Sequence, residues 1–127
     1  MEKVKSGAAQ AGKHWWGITG AYAILIAIGA VIPIPAPQVR GLSLDKLLHL
    51  CEYLLLAWCI VQTAKASRFP QVTALTAAFL LSTSYGVLLE GVQHLLPYRQ
   101  AEWLDVAVNT IGAAIGVLVG RGTQGET

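Results

Sequence analysis

Four apolar stretches, at residues 16–34, 47–63, 72–89 and 104–120, set the terms for this chain. Each is 17 to 19 residues long. With its flanks, each comes close to crossing the about 30 Å of hydrocarbon in a bilayer. Together they take up 71 of the 127 residues, and a small soluble domain has no interior for so much apolar helix. Only 13% of the side chains are charged, against roughly 25% in an ordinary soluble domain. The chain therefore reads as all-α: one four-helix transmembrane bundle. A net charge of +2, with no basic stripe, excludes a nucleic-acid partner. No cofactor motif is present.

The spacing predicts helices at about 16–34, 45–64, 72–96 and 103–120, with 1–15 and 121–127 as cytoplasmic tails. The first apolar run is longer than the about 7 to 15 residues of a signal segment and lacks a small-residue cleavage site, so it is read as a retained helix. Residues 1–13 and the tail after Arg121 are expected to lack fixed structure. Pro33, Pro35 and Pro37 end the first helix and favour an extended surface segment. Ser43 or Asp45 would cap the second. The short connections at 64–71 and 97–103 make successive helices antiparallel.

Lys3, Lys5, Lys13, Lys65, Arg68 and Arg121 fall on the side of the termini, and only Arg40, Lys46 and Arg99 on the other. The positive-inside bias therefore puts both termini in the cytoplasm, in a multi-pass protein of a bacterial cytoplasmic membrane. Trp15, Trp16 and Trp103 sit where interfacial anchors belong. Cys51 and Cys59 lie on one helix, about 12 Å apart by helical rise, too far for a disulfide. Both read as small core residues.

Polar residues concentrate on the side away from the termini: Asp45, Lys46, His49, Glu52, Tyr53, Glu90, Gln93, His94, Arg99, Glu102, Asp105 and Asn109. Asp45, His49 and either Glu52 or Tyr53 share one face of helix 2, and Glu90, Gln93 and His94 share one face of helix 3. Helix 4 carries Asp105, Asn109, Gly112, Gly116 and Gly120 in one stripe. Small residues four apart let helix backbones approach in lipid, so this stripe faces other helices and takes its polar members inside the bundle. The same glycines suit internal packing or a homo-oligomer, which stays open. Ser82, Thr83 and Ser84 read as interhelical hydrogen-bonders. His14 and His94 read as tail or interfacial residues.

Two blocks, Asp45-Lys46-x-x-His49-x-x-x-Tyr53 and Glu90-x-x-Gln93 through Leu96-Pro97-x-Arg99 to Asp105-x-x-x-Asn109-Thr110-x-Gly112 and Gly116, resemble the VanZ-like integral membrane proteins. The resemblance covers residues 45–116, with helix 1 compatible in position. It departs at Tyr98, where the family often has glycine, and at Glu102, where a shorter capping residue is expected. It implies a small helical membrane domain with its motif residues gathered on the outer side, and a link to low-level resistance against the glycopeptide teicoplanin. No general enzymatic activity comes with it.

The leading expectation is an outward-facing cleft for a cell-envelope lipid or lipid-linked precursor, lined by Asp45, Lys46, His49, Tyr53, Glu90, Gln93, Arg99, Asp105 and Asn109. Arg99 would clasp phosphate bidentately, while Gln93, Asn109 and Tyr53 would hydrogen-bond sugars or esters. The carboxylates count against an anion, so a cationic or zwitterionic ligand stays open. One alternative is a structural accessory protein whose polar network only holds the bundle. Another is a lipid hydrolase or transferase with His49 as base and Glu90 or Asp105 assisting. Asp45, His49, Glu90 and Asp105 offer hard ligands, but neither H-x3-H nor paired E-x2-H spacing occurs, so no metal is expected.

Overall fold

A computed structural model describes residues 2–33, 44–98 and 102–123. Four helices follow in order: α1 (Glu2–Val31), α2 (Leu44–Ala66), α3 (Gln71–His94) and α4 (Trp103–Gly122). No strand occurs among the described residues. Each helix carries a segment long and apolar enough to cross a membrane: Gln10–Val31, Asp45–Ala66, Gln71–His94 and Trp103–Gly122. Ile24, Leu25, Leu80, Leu88, Ile111 and Leu118 are exposed on their outer faces, which suits lipid rather than water.

α1 is longer than the sequence predicts. The residues expected as an unstructured tail continue the helix back to Glu2, since this Ala- and Lys-rich stretch contains no proline to stop it. Pro35, Pro37, Ser43, Arg40, Arg99 and the tail from 124 onward lie outside the described residues, as does any extended segment between α1 and α2. α2 starts at Leu44, so Asp45 stands in the first turn rather than before it as a cap. At the other end of α2, Arg68 takes φ 65° and Phe69 N–H donates to the Ala64 carbonyl at 3.0 Å. This closing turn sends the chain straight back into α3.

The tightest packing is between α2 and α4, which run side by side in the same direction. Gly112 meets the backbone at Leu50, Gly116 meets Leu54 and Ala57, and Gly120 meets Val61. A methyl group at Gly112 or Gly116 would collide with an α2 carbonyl, and one at Gly120 would come within 2.9 Å of the Val61 side chain. The three glycines are therefore used within the chain, where close approach gains dispersion contacts that lipid cannot supply. α3 adds its own buried period-four row, Ala74, Ala78, Ser82, Gly86 and Glu90. Tyr53, Leu56, Ile26 and Leu89 form the apolar core between these elements.

α1 has no such glycine seam; it packs Ile26, Ala23, Ala27 and Ala30 against the core and adds hydrogen bonds to its neighbours. Thr19 Oγ1 and Thr63 Oγ1 are 2.6 Å apart, Tyr22 OH donates to the Glu52 carbonyl at 3.0 Å, and Tyr85 OH donates to the Ala23 carbonyl. Two tryptophans expected only as anchors make specific contacts. Trp16 Nε1 donates to Ser67 Oγ at 2.9 Å, and Trp15 packs edge-on against Trp58 with ring centroids 5.5 Å apart. Trp103 remains exposed.

Two other expectations are corrected. Cys51 is exposed on the outer face of α2, and only Cys59 is buried. Thr83 donates back to Phe79 in its own helix at 2.8 Å, Ser84 is exposed, and Ser82 Oγ is buried without a hydrogen-bond partner among the described residues. The Thr83 hydroxyl reaches the carbonyl four residues back more easily than a neighbouring helix.

Candidate functional site

Where α2 and α4 begin and α3 ends, the polar residues meet and divide into two sets. In the first, every charged group has a close partner. Lys46 Nζ lies 2.9 Å from Glu102 Oε2. The Glu102 backbone N–H donates to Glu90 Oε1 at 2.8 Å. Glu102 stands immediately before α4 and makes no side-chain cap of its own. Glu90, reaching across from α3, accepts from the Glu102 amide as the carboxylate of a capping box would, while the long Glu102 side chain extends to Lys46. This set ties α2, α3 and α4 together.

The second set is less saturated. One ligand-type atom from each of Asp45, His49 and Asp105 lies within 4.8 Å of the others. His49 Nε2 is 3.8 Å from Asp45 Oδ1, and His49 Nδ1 is 3.9 Å from Glu52 Oε2. Both separations exceed a hydrogen bond. Asp105 Oδ1 is 3.7 Å from Lys46 Nζ. Asp105 and Asn109 are 4% and 3% exposed. Their Oδ1 atoms, and His49 Nδ1, are buried with no hydrogen-bond partner among the described residues. Buried polar atoms are nearly always paired in native proteins, so three orphans at one end of a bundle mark bonding capacity left unfilled.

The other expected site residues have separate tasks. Tyr53, rather than Glu52, turns inward and is buried in the core. Gly86 makes room for it: a Cβ there would stand 3.1 Å from the Tyr53 ring and 3.4 Å from Asn109. Tyr53 and Asn109 thus form the floor beneath the polar end. Gln93 Nε2 is turned to the Ala30 carbonyl of α1 at 3.2 Å, which leaves that donor to hold a helix rather than a ligand. His94 is exposed, and Arg99 falls outside the described residues.

Sequence reasoning passed over the parts played by Glu102, Gly86, Tyr22 and Tyr85. The period-four row from Ala74 to Glu90 was a signal that could have identified Gly86 as an inward position. Tyr22 and Tyr85 offered none, because their acceptors are backbone carbonyls of neighbouring helices.

Four helices able to cross a membrane, with a buried polar cluster at one end, define a small multi-pass membrane protein. Its sequence matches the VanZ/LLP1 family over residues 7–122, and the chain belongs to that family. No curated relative and no solved structure matches it.

Proposed function

We propose that the polar end of the bundle binds the head group of a cell-envelope lipid. The observation that carries this reading is a polar load beyond what the packing uses. Asp45, Glu52, Glu90, Glu102 and Asp105 gather around Lys46 and His49, although the glycine seam already joins α2 to α4. Intramembrane ionisable groups are costly and commonly mark a ligand path. Arg99, three residues before Glu102 in the chain, is the expected phosphate ligand. The positive-inside bias supports an extracytoplasmic address for this end. The resemblance to proteins linked with teicoplanin resistance makes a lipid-linked wall precursor the first candidate.

A lipid hydrolase or transferase has less support. No hydroxyl or thiol is hydrogen-bonded to His49 among the described residues, and Cys51 lies on the outer face.

Native mass spectrometry of the gently solubilised protein beside Arg99→Ala tests the lipid reading. One lipid mass retained by the parent and lost by the variant is the expected result. Equal, mixed bulk phospholipid on both would overturn it in favour of an accessory protein whose polar network is structural.

A further inference from the structure

We infer that Asp45, His49 and Asp105 form a binding site for one divalent cation of the Zn²⁺ or Mn²⁺ kind. Two carboxylates and an imidazole are a donor set that suits these ions. Asp45 and His49 are one turn apart on the same face of α2, and Asp105 comes from the first turn of α4 beside them. Because the ligands come from two helices, spacing along either one alone does not reveal the set. The ligand atoms span up to 4.8 Å, whereas ligands about 2.1 Å from a tetrahedral ion lie about 3.4 Å from one another. Closing that difference asks little of Asp45, whose side chain is 53% exposed.

The unpartnered atoms point to what the set receives. Among the described residues Asp105 Oδ1 is buried without a hydrogen bond, since Lys46 makes its close contact with Glu102 and stays 3.7 Å from Asp105. Independently, Asn109 is 3% exposed and its Oδ1 also lacks a partner among the described residues. It lies one turn deeper on α4, about 6 Å along the axis. Both atoms are pure acceptors, which a cation and its bound water satisfy and a further carboxylate or phosphate does not. Glu52 Oε2 stands 3.9 Å from His49 Nδ1, at the ring nitrogen opposite the one nearest Asp45. A carboxylate at that position orients metal-binding imidazoles and fixes their tautomer. Three protein ligands leave a coordination position open beside the exposed Asp45. A positive ion there would also offset the carboxylates that otherwise repel an anionic head group.

This site stands independently of the lipid reading, because it is tested without lipid. The full chain, purified in delipidating detergent without a polyhistidine tag and stripped with EDTA, is titrated with MnCl₂ and followed by electron paramagnetic resonance, then challenged with ZnCl₂. One Mn²⁺ per chain, displaced by Zn²⁺, is expected. Binding should weaken by about tenfold or more in Asp45→Asn, His49→Ala and Asp105→Asn, and remain in His94→Ala. Asp45→Asn is the decisive variant because its exposed side chain is not needed for packing. Absence of stoichiometric Mn²⁺ uptake by the parent, or full uptake by Asp45→Asn, would overturn the assignment.

Discussion

Lys46, Glu90 and Glu102 occupy the same end of the bundle as Asp45, His49 and Asp105, and the two sets differ in how their atoms are used. The first closes a chain of short contacts through three helices. The second keeps its members beyond hydrogen-bond distance and leaves buried acceptors without partners among the described residues. Charge inside the bundle therefore does not identify a site. Unfilled bonding capacity gathered on several neighbouring groups is the better pointer, since a lone unpartnered hydroxyl such as that of Ser82 needs no ligand, whereas orphaned acceptors clustered in a low-dielectric interior cost stability.

The largest effect is expected in the seam on which both sets rest. Gly116→Ala would bring a methyl within 2.9 Å of the Leu54 carbonyl carbon and 3.0 Å of Ala57. Overpacking costs about 1–3 kcal/mol and more where backbone must move. Fluorescence-detected size exclusion should show most of the folded protein lost. If Gly116→Ala folds normally, the seam is looser than described and the polar sets must carry more of the stability.

Next comes the saturated set. Glu90→Ala removes the acceptor of the part-buried Glu102 amide, worth about 1 kcal/mol, and should lower the unfolding temperature in detergent. Lys46→Met should cost about 1 kcal/mol or less, because Glu102 is half exposed. The same change removes an ammonium 3.7 Å from Asp105, so Mn²⁺ uptake should rise while stability falls. Opposite signs in the two measurements would separate the sets sharply; a parallel fall would merge them. The smallest effect is expected at the edge of the bundle. Tyr85→Phe loses one interhelical hydrogen bond to α1, about 0.6 kcal/mol by the membrane average, and should barely change melting.

The four helices were legible because a chain this short can place so much apolar length only in lipid. The α4 stripe was also legible, since a period of four on one helix defines a face. What that period does not define is which neighbour the face meets. Asp105 and Gly112 could be assigned to the interior, but their placement against α2 depends on α2 and α4 lying parallel and adjacent. For the same reason the part played by Glu102 was hidden. Its amide is satisfied by Glu90 from α3, twelve residues away in the chain. Asp45 and His49 share a face that their spacing shows, yet their third companion comes from another helix. The unexpected helix at the start of α1 has a local cause: its alanines and lysines favour helix strongly enough to extend the apolar span back to Glu2.

If the Asp45, His49 and Asp105 set serves binding rather than folding, the unfolding temperature of Asp105→Asn shows it most directly. Parent and variant are melted side by side in delipidating detergent with EDTA, so that neither lipid nor cation contributes. An unchanged or higher unfolding temperature in the variant is predicted, because a buried carboxylate oxygen without a hydrogen bond costs stability, and Lys46 keeps its partner Glu102. A fall as large as that of Glu90→Ala would contradict the account and make Asp105 a structural member of the Lys46 network.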